Sequence, residues 1–274
     1  DSVDGAEAGN LIGRCSGTVT EAPILMLNAH LDTVVPGEGI RPIVEGDVIR
    51  SGGDTILGAD DKAGIAIILE VLTALKEDGG DYGDLDIVLT ICEEIGLYGS
   101  KYLDYSLVRA QYRYAIDAGS MGAIYTEAPS ADAIAFKIYG LEAHAGVEPE
   151  KGINAIQIAS EAIAQMKLGR IDHETTANIG IIQGGKATNI VPDLVHVKGE
   201  ARSRDESKLT IQTEHIRTCM AKAVAKHYIE VDGQRKEARL EEDIERNYWA
   251  MKLREQDYVC LLYTSDAADE LDGV

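Results

Sequence analysis

The stretch Leu27-Asn28-Ala29-His30-Leu31-Asp32-Thr33-Val34 decides how the chain is organised. It continues an apolar run that begins at Ile24 and is typical of a buried strand. His30 and Asp32 follow at the end of this strand, and residues two apart in an extended chain face the same side. We therefore expect the Asp32 carboxylate to accept a hydrogen bond from the His30 ring, as is common beside a metal-ligating histidine.

Three more acidic motifs follow, each directly after a strand-like run. Strands predicted over 24–29, 85–91 and 112–116 alternate with a helix that begins at Asp61 and a short helix over 100–110, which is typical of an α/β fold with a largely parallel sheet. The first helix has an apolar stripe with the 3.6-residue period of a helix packed on a sheet, at Ile65, Ile68, Leu69, Leu72 and Leu75. Such sheets place their sites at the carboxyl ends of the strands. The acidic motifs are Gly58-Ala59-Asp60-Asp61-Lys62-Ala63-Gly64, Cys92-Glu93-Glu94-Ile95-Gly96 and Ile116-Asp117-Ala118-Gly119.

The pattern changes after Glu127. Strands and helices are then predicted in the order β-α-β-β-α-β, which is ferredoxin-like and indicates a separate, inserted domain over 129–245. The predicted elements are strand 132–140, helix 152–167, strands 176–182 and 194–202, helix 206–227 and strand 235–245.

Composition excludes several classes of protein. The 274 residues include 47 acidic and 26 basic ones, a net charge of −21, which argues against partners such as nucleic acid or anionic membranes. The four cysteines have no paired spacing, so neither a disulfide framework nor a thiolate zinc site is expected, and a reducing, cytoplasmic location is favoured. No apolar run reaches the ~18 residues of a membrane helix.

In combination, the motifs resemble the M20 metallopeptidases, a dinuclear zinc group, and look closest to the peptidase T-like (tripeptide aminopeptidase) branch. The resemblance covers about residues 10–259. It implies a zinc-exopeptidase-like α/β catalytic domain over 1–128, whose C-terminal return starts over 246–259. It also implies that the ferredoxin-like domain over 129–245 is a lid and dimerisation domain of a homodimer.

The resemblance also implies a set of metal ligands. His30, Asp60, Glu94 and Asp117 offer one nitrogen and three carboxylates, which suit two Zn²⁺ ions, with Co²⁺ or Mn²⁺ tolerable. Asp60 would bridge the two ions, His30 and Asp117 would hold one, and Glu94 the other. The alternative for Asp60 is a helix cap, since acids favour helix N-termini, but Asp61 fits the cap better.

The implied reaction is hydrolysis of a peptide bond in short peptides by water activated between two zinc ions. Glu93 is the implied general base, which takes a proton from the water and passes it to the leaving amine. Glu93 and Glu94 are adjacent at a strand end, so their side chains diverge and one stays free of metal. Asp32 would orient His30.

The inserted domain is expected to contribute substrate contacts. By resemblance, His144 reaches into the partner's active site and stabilises the oxyanion, and Asn189 binds substrate. Arg202 would bind the substrate carboxylate, a role that suits a planar bidentate donor. The alternative for Arg202 is a surface ion pair with Glu200 or Glu206.

The C-terminal part departs from the family. The family's last metal ligand is a histidine in a C-terminal segment, and nothing in this sequence matches it. Residues 260–274 resemble translated sequencing-adapter read-through, so we expect native sequence to stop near Val259. Two alternatives stay open: an N-acyl amino acid amidohydrolase or carboxypeptidase, and an inactive metal-binding protein.

Overall fold

The structure is a computed structural model that describes residues 7–254, other than 118, 120, 121 and 232, together with Asp257. The chain divides into two compact units: among the described residues, 7–124 and Asp257 belong to the first and 125–254 to the second. The predicted non-native tail, 260–274, lies outside the described residues. Within the described part, every helix is too short or too polar to cross a bilayer.

The first unit contains a four-stranded sheet and a separate hairpin. Its strands are β1 (Leu11–Cys15), β2 (Leu25–His30), β3 (Pro42–Glu45), β4 (Val48–Ser51), β5 (Leu85–Thr90) and β6 (Tyr112–Ala115). The sheet order is β1-β5-β2-β6, and β3 pairs with β4 as a hairpin. Strand β2 is parallel to both β5 and β6, whereas β1 is antiparallel to β5. The prediction of a largely parallel sheet is confirmed.

A long helix, α1 (Ala59–Asp78), packs on this sheet and ends at Gly79, which has a left-handed conformation. Its buried Ile68 contacts a cluster formed with Ala29, Leu85 and Ile87 of the strands. The predicted apolar stripe is confirmed at Ile65, Ile68, Leu72 and Leu75. It is wrong at Leu69, which is 58% exposed, because a helix on one sheet buries a single face.

The second helix of this unit is shorter than predicted. Helix α2 covers only Tyr98–Lys101, and a 3-10 turn, Tyr105–Leu107, follows it. The Asp104 side chain accepts a hydrogen bond from the backbone N–H of Ser106 and so starts a new turn. The prediction of one helix over 100–110 is wrong because this local bond competes with the helical ladder.

The second unit is built on a five-stranded antiparallel sheet in the order β14-β8-β11-β10-β9. Its four long strands and two long helices follow the chain as β-α-β-β-α-β, so the ferredoxin-like prediction is confirmed. The strands are β7 (Glu127–Ala128), β8 (Ser130–Tyr139), β9 (Gly169–Arg170), β10 (Thr175–Gly184), β11 (Leu194–Ser203), β12 (Tyr228–Val231), β13 (Gln234–Glu237), β14 (Arg239–Tyr248) and β15 (Met251–Lys252).

Two helices, α3 (Ala155–Gln165) and α4 (Glu206–Lys226), cover one face of this sheet. Their N-termini are capped by Asn154 and Asp205, whose side chains accept backbone N–H groups of the first turn. The core between helices and sheet consists mainly of apolar side chains that are almost fully buried, including Ile134, Phe136, Ile138, Ile158, Val195, Val197, Leu209, Ile216 and Met220.

The last strands differ from the predicted end of this domain. β14 continues to Tyr248, and β15 pairs with β7 inside the second unit. A return to the catalytic domain was predicted from residue 246, but residues 246–252 still belong to the strands of the second unit. The outer limits of both predicted domains stay a prediction.

Candidate metal centre

The acidic motifs of the first unit meet at one edge of its sheet. Because β2, β5 and β6 are parallel, their carboxyl ends share that edge. His30 is the last residue of β2, Glu93 and Glu94 follow β5, and Asp117 follows β6. Asp60 joins them from the first turn of α1.

His30 is the centre of this arrangement and is only 2% exposed. Its Nε2 atom lies 3.0 Å from Oδ1 of Asp60 and 4.0 Å from Oδ2 of Asp117. His30, Asp60 and Asp117 thus offer three potential ligand atoms within 4.8 Å of one another. The structure brings together the three residues predicted to share an ion.

The two glutamates form a second group around the same histidine. Ligand atoms of His30, Glu93 and Glu94 also lie within 4.8 Å of one another. A cavity of about 140 Å³ opens beside them, and His30, Glu93 and Asp117 line it. Among the residues that the structure describes, no second histidine joins either group.

Asp32 makes a different contact from the predicted one. The Nδ1 atom of His30 lies 2.9 Å from the backbone oxygen of Asp32, and 3.5 Å from its carboxylate. The carboxylate instead accepts the backbone N–H of Glu93 at 3.0 Å and that of Glu94 at 3.1 Å. The prediction that this carboxylate bonds the ring is corrected: the main chain of Asp32 fixes the imidazole, and its side chain fixes the glutamate turn.

Asp61 differs from its neighbour Asp60 both in burial and in the groups that it contacts. The Asp61 side chain is 4% exposed and accepts the backbone N–H groups of His30 and Gly64 at 3.0 and 3.1 Å. The Asp60 side chain is 70% exposed and points to His30. Asp61 therefore takes the capping role that was the alternative for Asp60.

Electrostatics at the site favour a bound cation. Burial raises the pKa of Asp117 to about 6, and the negative charges of Asp61, Asp60 and Glu93 add to the effect. Burial also raises the pKa of Glu93, helped by the charges of Glu94, Asp32 and Asp60. Burial alone would lower the pKa of His30, but its hydrogen bond to Asp60 and the charges of Asp117 and Asp32 raise it.

These residues fit a divalent metal. One imidazole nitrogen and several carboxylates converge, which is the donor set of zinc, cobalt and manganese sites. The raised carboxyl pKa values reflect burial first and like charges held close together second, and a cation would relieve the repulsion among those charges. The opposite ring nitrogen of His30 is held by a carbonyl oxygen, which selects the tautomer that leaves Nε2 free for metal.

In the second unit, His144 and Asn189 lie on adjoining turns. The backbone N–H of Ala145 donates to the carbonyl of Asn189 at 2.9 Å, and His144 forms an isolated bridge with Ile190. Both side chains are exposed, and Nδ1 of His144 accepts the backbone N–H of Gly146 at 3.2 Å. The structure therefore brings these two predicted substrate contacts together.

Arg202 lies apart from these turns, on β11. Its guanidinium donates to Oε2 of Glu200 at 2.9 Å, and both side chains are more than 40% exposed. This is one of the two ion pairs that the sequence left open for Arg202. A substrate carboxylate would have to compete with Glu200 for the same donor.

Asn10 supports the glutamate turn and was not predicted from the sequence. Its side chain accepts the backbone N–H of Ile91 at 3.1 Å and donates to the carbonyl of Gly99 at 2.7 Å. It thus joins the two ends of the turn that contains Glu93 and Glu94. A signal was lacking because the partners lie 81 and 89 residues away along the chain.

Two protein-family descriptions match the chain. Residues 129–228 match the M20 peptidase dimerisation domain, and residues 44–134 match the M42 glutamyl aminopeptidases. The first match covers the ferredoxin-like part of the second unit up to the start of β12, without its last long strand, β14. The second includes the Asp60, Glu93–Glu94 and Asp117 motifs.

Individual proteins extend the similarity to nearly the whole chain. An uncharacterised Bacillus subtilis protein, YqjE, is 44% identical over 97% of this chain and 69% of its own length. The crystal structure of a tripeptidase from Staphylococcus aureus superposes with a TM-score of 0.85 at 40% identity, over 96% of this chain and 68% of that one. Peptidase T of Fusobacterium nucleatum is 30% identical over 76% of this chain, which spans about half (51%) of that relative.

Proposed function

The chain belongs to the M20 family of peptidases, on the peptidase T-like branch, and from this premise we propose that its protein is a metal-dependent aminopeptidase acting on short peptides. The observation that carries the proposal is that two pairs of acidic residues converge on His30 at one sheet edge. The pairs are Asp60 with Asp117, and Glu93 with Glu94. Because the chain spans only part of its relatives, the activity is proposed for the whole protein.

We propose that the centre holds two zinc ions. His30 and Asp117 would bind one ion, Glu94 the other, and Asp60 both. The first of these sets is supported by the ligand atoms of His30, Asp60 and Asp117, which lie within 4.8 Å of one another. Metal ions held there would supply Lewis-acid chemistry, polarising the scissile carbonyl and increasing the acidity of a water molecule.

Glu93 is the proposed general base. Its carboxylate lines the cavity beside His30 and Asp117, and burial raises its pKa toward the range in which a carboxylate accepts a proton efficiently at neutral pH. Glu93 would take the proton of the attacking water and deliver it to the leaving amine. Asp32 would hold the backbone of Glu93 while this happens.

The second unit is proposed to bind substrate and to form a homodimer. His144, through Nε2, would stabilise the oxyanion in the partner's site, Asn189 would bind the substrate backbone, and Arg202 its carboxylate. The open edge of β10 supports the dimer. β9 pairs with β10 only at Thr176 and Ala177, so the rest of this β10 edge has no strand partner among the described residues and is available to a second copy.

A cytoplasmic location is part of the proposal. Its support is that Cys15, Cys92 and Cys219 are free thiols, as expected in a reducing compartment. Fractionation of cells producing the whole protein tests it, and recovery outside the cytoplasm would contradict it.

The proposal is tested by hydrolysis of a free tripeptide beside its N-acetylated form, using the zinc-loaded whole protein. Cleavage of the free tripeptide alone is expected for an aminopeptidase. Preference for the N-acetylated form would favour the N-acyl amino acid amidohydrolase or carboxypeptidase alternative. Zinc binding without cleavage of either peptide would favour the inactive metal-binding protein.

A further inference from the structure

Asp61 accepts two hydrogen bonds, and its capping role explains only one of them. The hydrogen bond from the N–H of Gly64 is that of a helix cap, because Asp60 and Asp61 have non-helical backbone angles and the regular turns of α1 begin only after them. The bond from the N–H of His30 reaches the end of β2, 31 residues away. A carboxylate that is 4% exposed is costly unless it is fully hydrogen-bonded, so both donors fix its position.

Gly64 permits a close approach between α1 and the backbone of Ile116. A Cβ atom at Gly64 would lie 2.2 Å from the backbone oxygen of Ile116 and 2.4 Å from Oδ1 of Asp61. Only glycine therefore allows α1 to touch, at position 64, the end of the chain segment that leads into Asp117. Ile116 is held in turn by β2, since its N–H donates to the carbonyl of Asn28 at 2.8 Å.

Three segments that carry potential metal ligands thus meet at one buried carboxylate. His30 is attached through its own backbone N–H, and Asp60 is the covalent neighbour of Asp61. Asp117 follows the residue whose carbonyl packs against Gly64. An asparagine at position 61 could not reproduce this, because one of its two polar atoms is a donor and would face a backbone N–H.

We propose that Asp61, with Gly64, is a positioning residue that holds His30, Asp60 and Asp117 in the register needed to share a metal ion. The inference rests on the metal centre proposed above. Asp61 touches neither metal nor substrate in this role and acts only through the backbone that carries the ligands.

The test is Co²⁺ binding to the 274-residue chain, stripped first with a chelator, because the visible spectrum of Co²⁺ reports the arrangement of its ligands. Asp61→Asn and Gly64→Ala are each expected to weaken Co²⁺ binding about 10–100-fold, the usual effect of losing such outer contacts, and to change the spectrum. Gly64→Ala leaves the charge of the site unaltered, so its effect reports the position of the ligand residues separately from any change in electrostatics.

Two control variants separate this role from helix capping and from glycine replacement. Asp205→Ala removes a cap with two backbone contacts from α4, and Gly80→Ala adds a methyl group where nothing lies within 4 Å. Both are expected to bind Co²⁺ with the affinity and spectrum of the parent, whatever their melting temperatures.

The inference is overturned if folded Asp61→Asn and Gly64→Ala bind Co²⁺ with the parent's affinity and spectrum, and the metal centre would then still stand. A folded parent that binds no Co²⁺ would instead overturn the metal centre itself and this inference with it. Should Asp61→Asn fail to fold by circular dichroism, Gly64→Ala alone decides the question.

Discussion

Oδ1 of Asp32 lies 3.0 Å from the backbone nitrogen of Glu93, and this contact joins the end of β2 to the turn after β5. The other carboxylate oxygen of Asp32 accepts the next N–H in the same way. The proposed base is therefore held through its main chain, which leaves the Glu93 side chain free to exchange protons. The same residue fixes the His30 ring through its carbonyl, so one residue aligns the proposed base and a proposed ligand.

Replacing Asp32 by alanine should loosen the glutamate turn. A hydrogen bond to a charged acceptor contributes about 1.5–3 kcal/mol, so the amides of Glu93 and Glu94 should exchange with deuterium about tenfold faster or more. Hydrogen exchange followed by mass spectrometry on peptides covering 91–97 measures this. Asp104→Ala, which removes a cap from the 3-10 turn, is the matched control and should leave this peptide unchanged. Unaltered exchange in Asp32→Ala would contradict the role of Asp32 in holding the turn.

Glutamine at position 93 should separate catalysis from metal binding. In the whole protein, Glu93→Gln should lower kcat about 10²–10⁴-fold with zinc content unchanged, because it removes a proton acceptor and no proposed ligand. Glu94→Gln should lower the zinc content itself. Metal analysis beside tripeptide turnover measures both effects. Equal zinc loss in the two variants would mean that Glu93 is a ligand, as its place beside His30 also permits.

Zinc binding should weaken as the solution becomes acidic. Because the pKa of Asp117 is raised to about 6, this carboxyl group is mostly ionised at pH 7 and mostly protonated at pH 5. A proton competes with the metal for the group, so the apparent affinity should fall about tenfold over this interval from Asp117 alone. Competition with a chromophoric chelator of known pH dependence measures the slope. Asp117→Asn should bind zinc more weakly and with a shallower slope, and a parent affinity independent of pH would contradict the assignment.

The open edge of β10 should be required for dimerisation. Ile181 and Ile182 are 47% and 49% exposed on this strand, so replacing both by glutamate places like charges at a two-fold interface. Sedimentation of the double variant should give monomer at concentrations where the parent is a dimer. Ile211→Glu, on α4 and 69% exposed, is the control and should remain dimeric. A double variant that stays dimeric would move the interface to another face.

Sequence reasoning succeeded where short-range patterns determine the structure. The apolar run before His30 and the stripe through Ile65, Ile68 and Leu72 led to the parallel sheet and its helix. The rule that parallel strands bring their carboxyl ends to one edge predicted that the motifs of His30 and Asp117 meet. The place of Asp60 beside them as a shared ligand came from the family resemblance.

It failed where the choice of hydrogen-bond partner depends on distant backbone. Residue spacing correctly put Asp32 near His30, but nothing local indicates that the N–H groups of Glu93 and Glu94 bind its carboxylate more closely. The buried bond from His30 to Asp61 is of the same kind. For Arg202, the sequence offered two acidic partners, and only the folded strand selects Glu200.

The pairing of β14 with β8 has a consequence for how the protein is made. Ile134 lies opposite Ile244 in this ladder. One edge of β8 therefore stays unpaired until the ribosome has made the strand that pairs with it, 110 residues later. At roughly 5–20 residues per second, that interval lasts about 5–20 s. During translation the sheet of the second unit therefore stays incomplete after its helices have formed, and a chaperone that covers an unpaired strand would act in this interval.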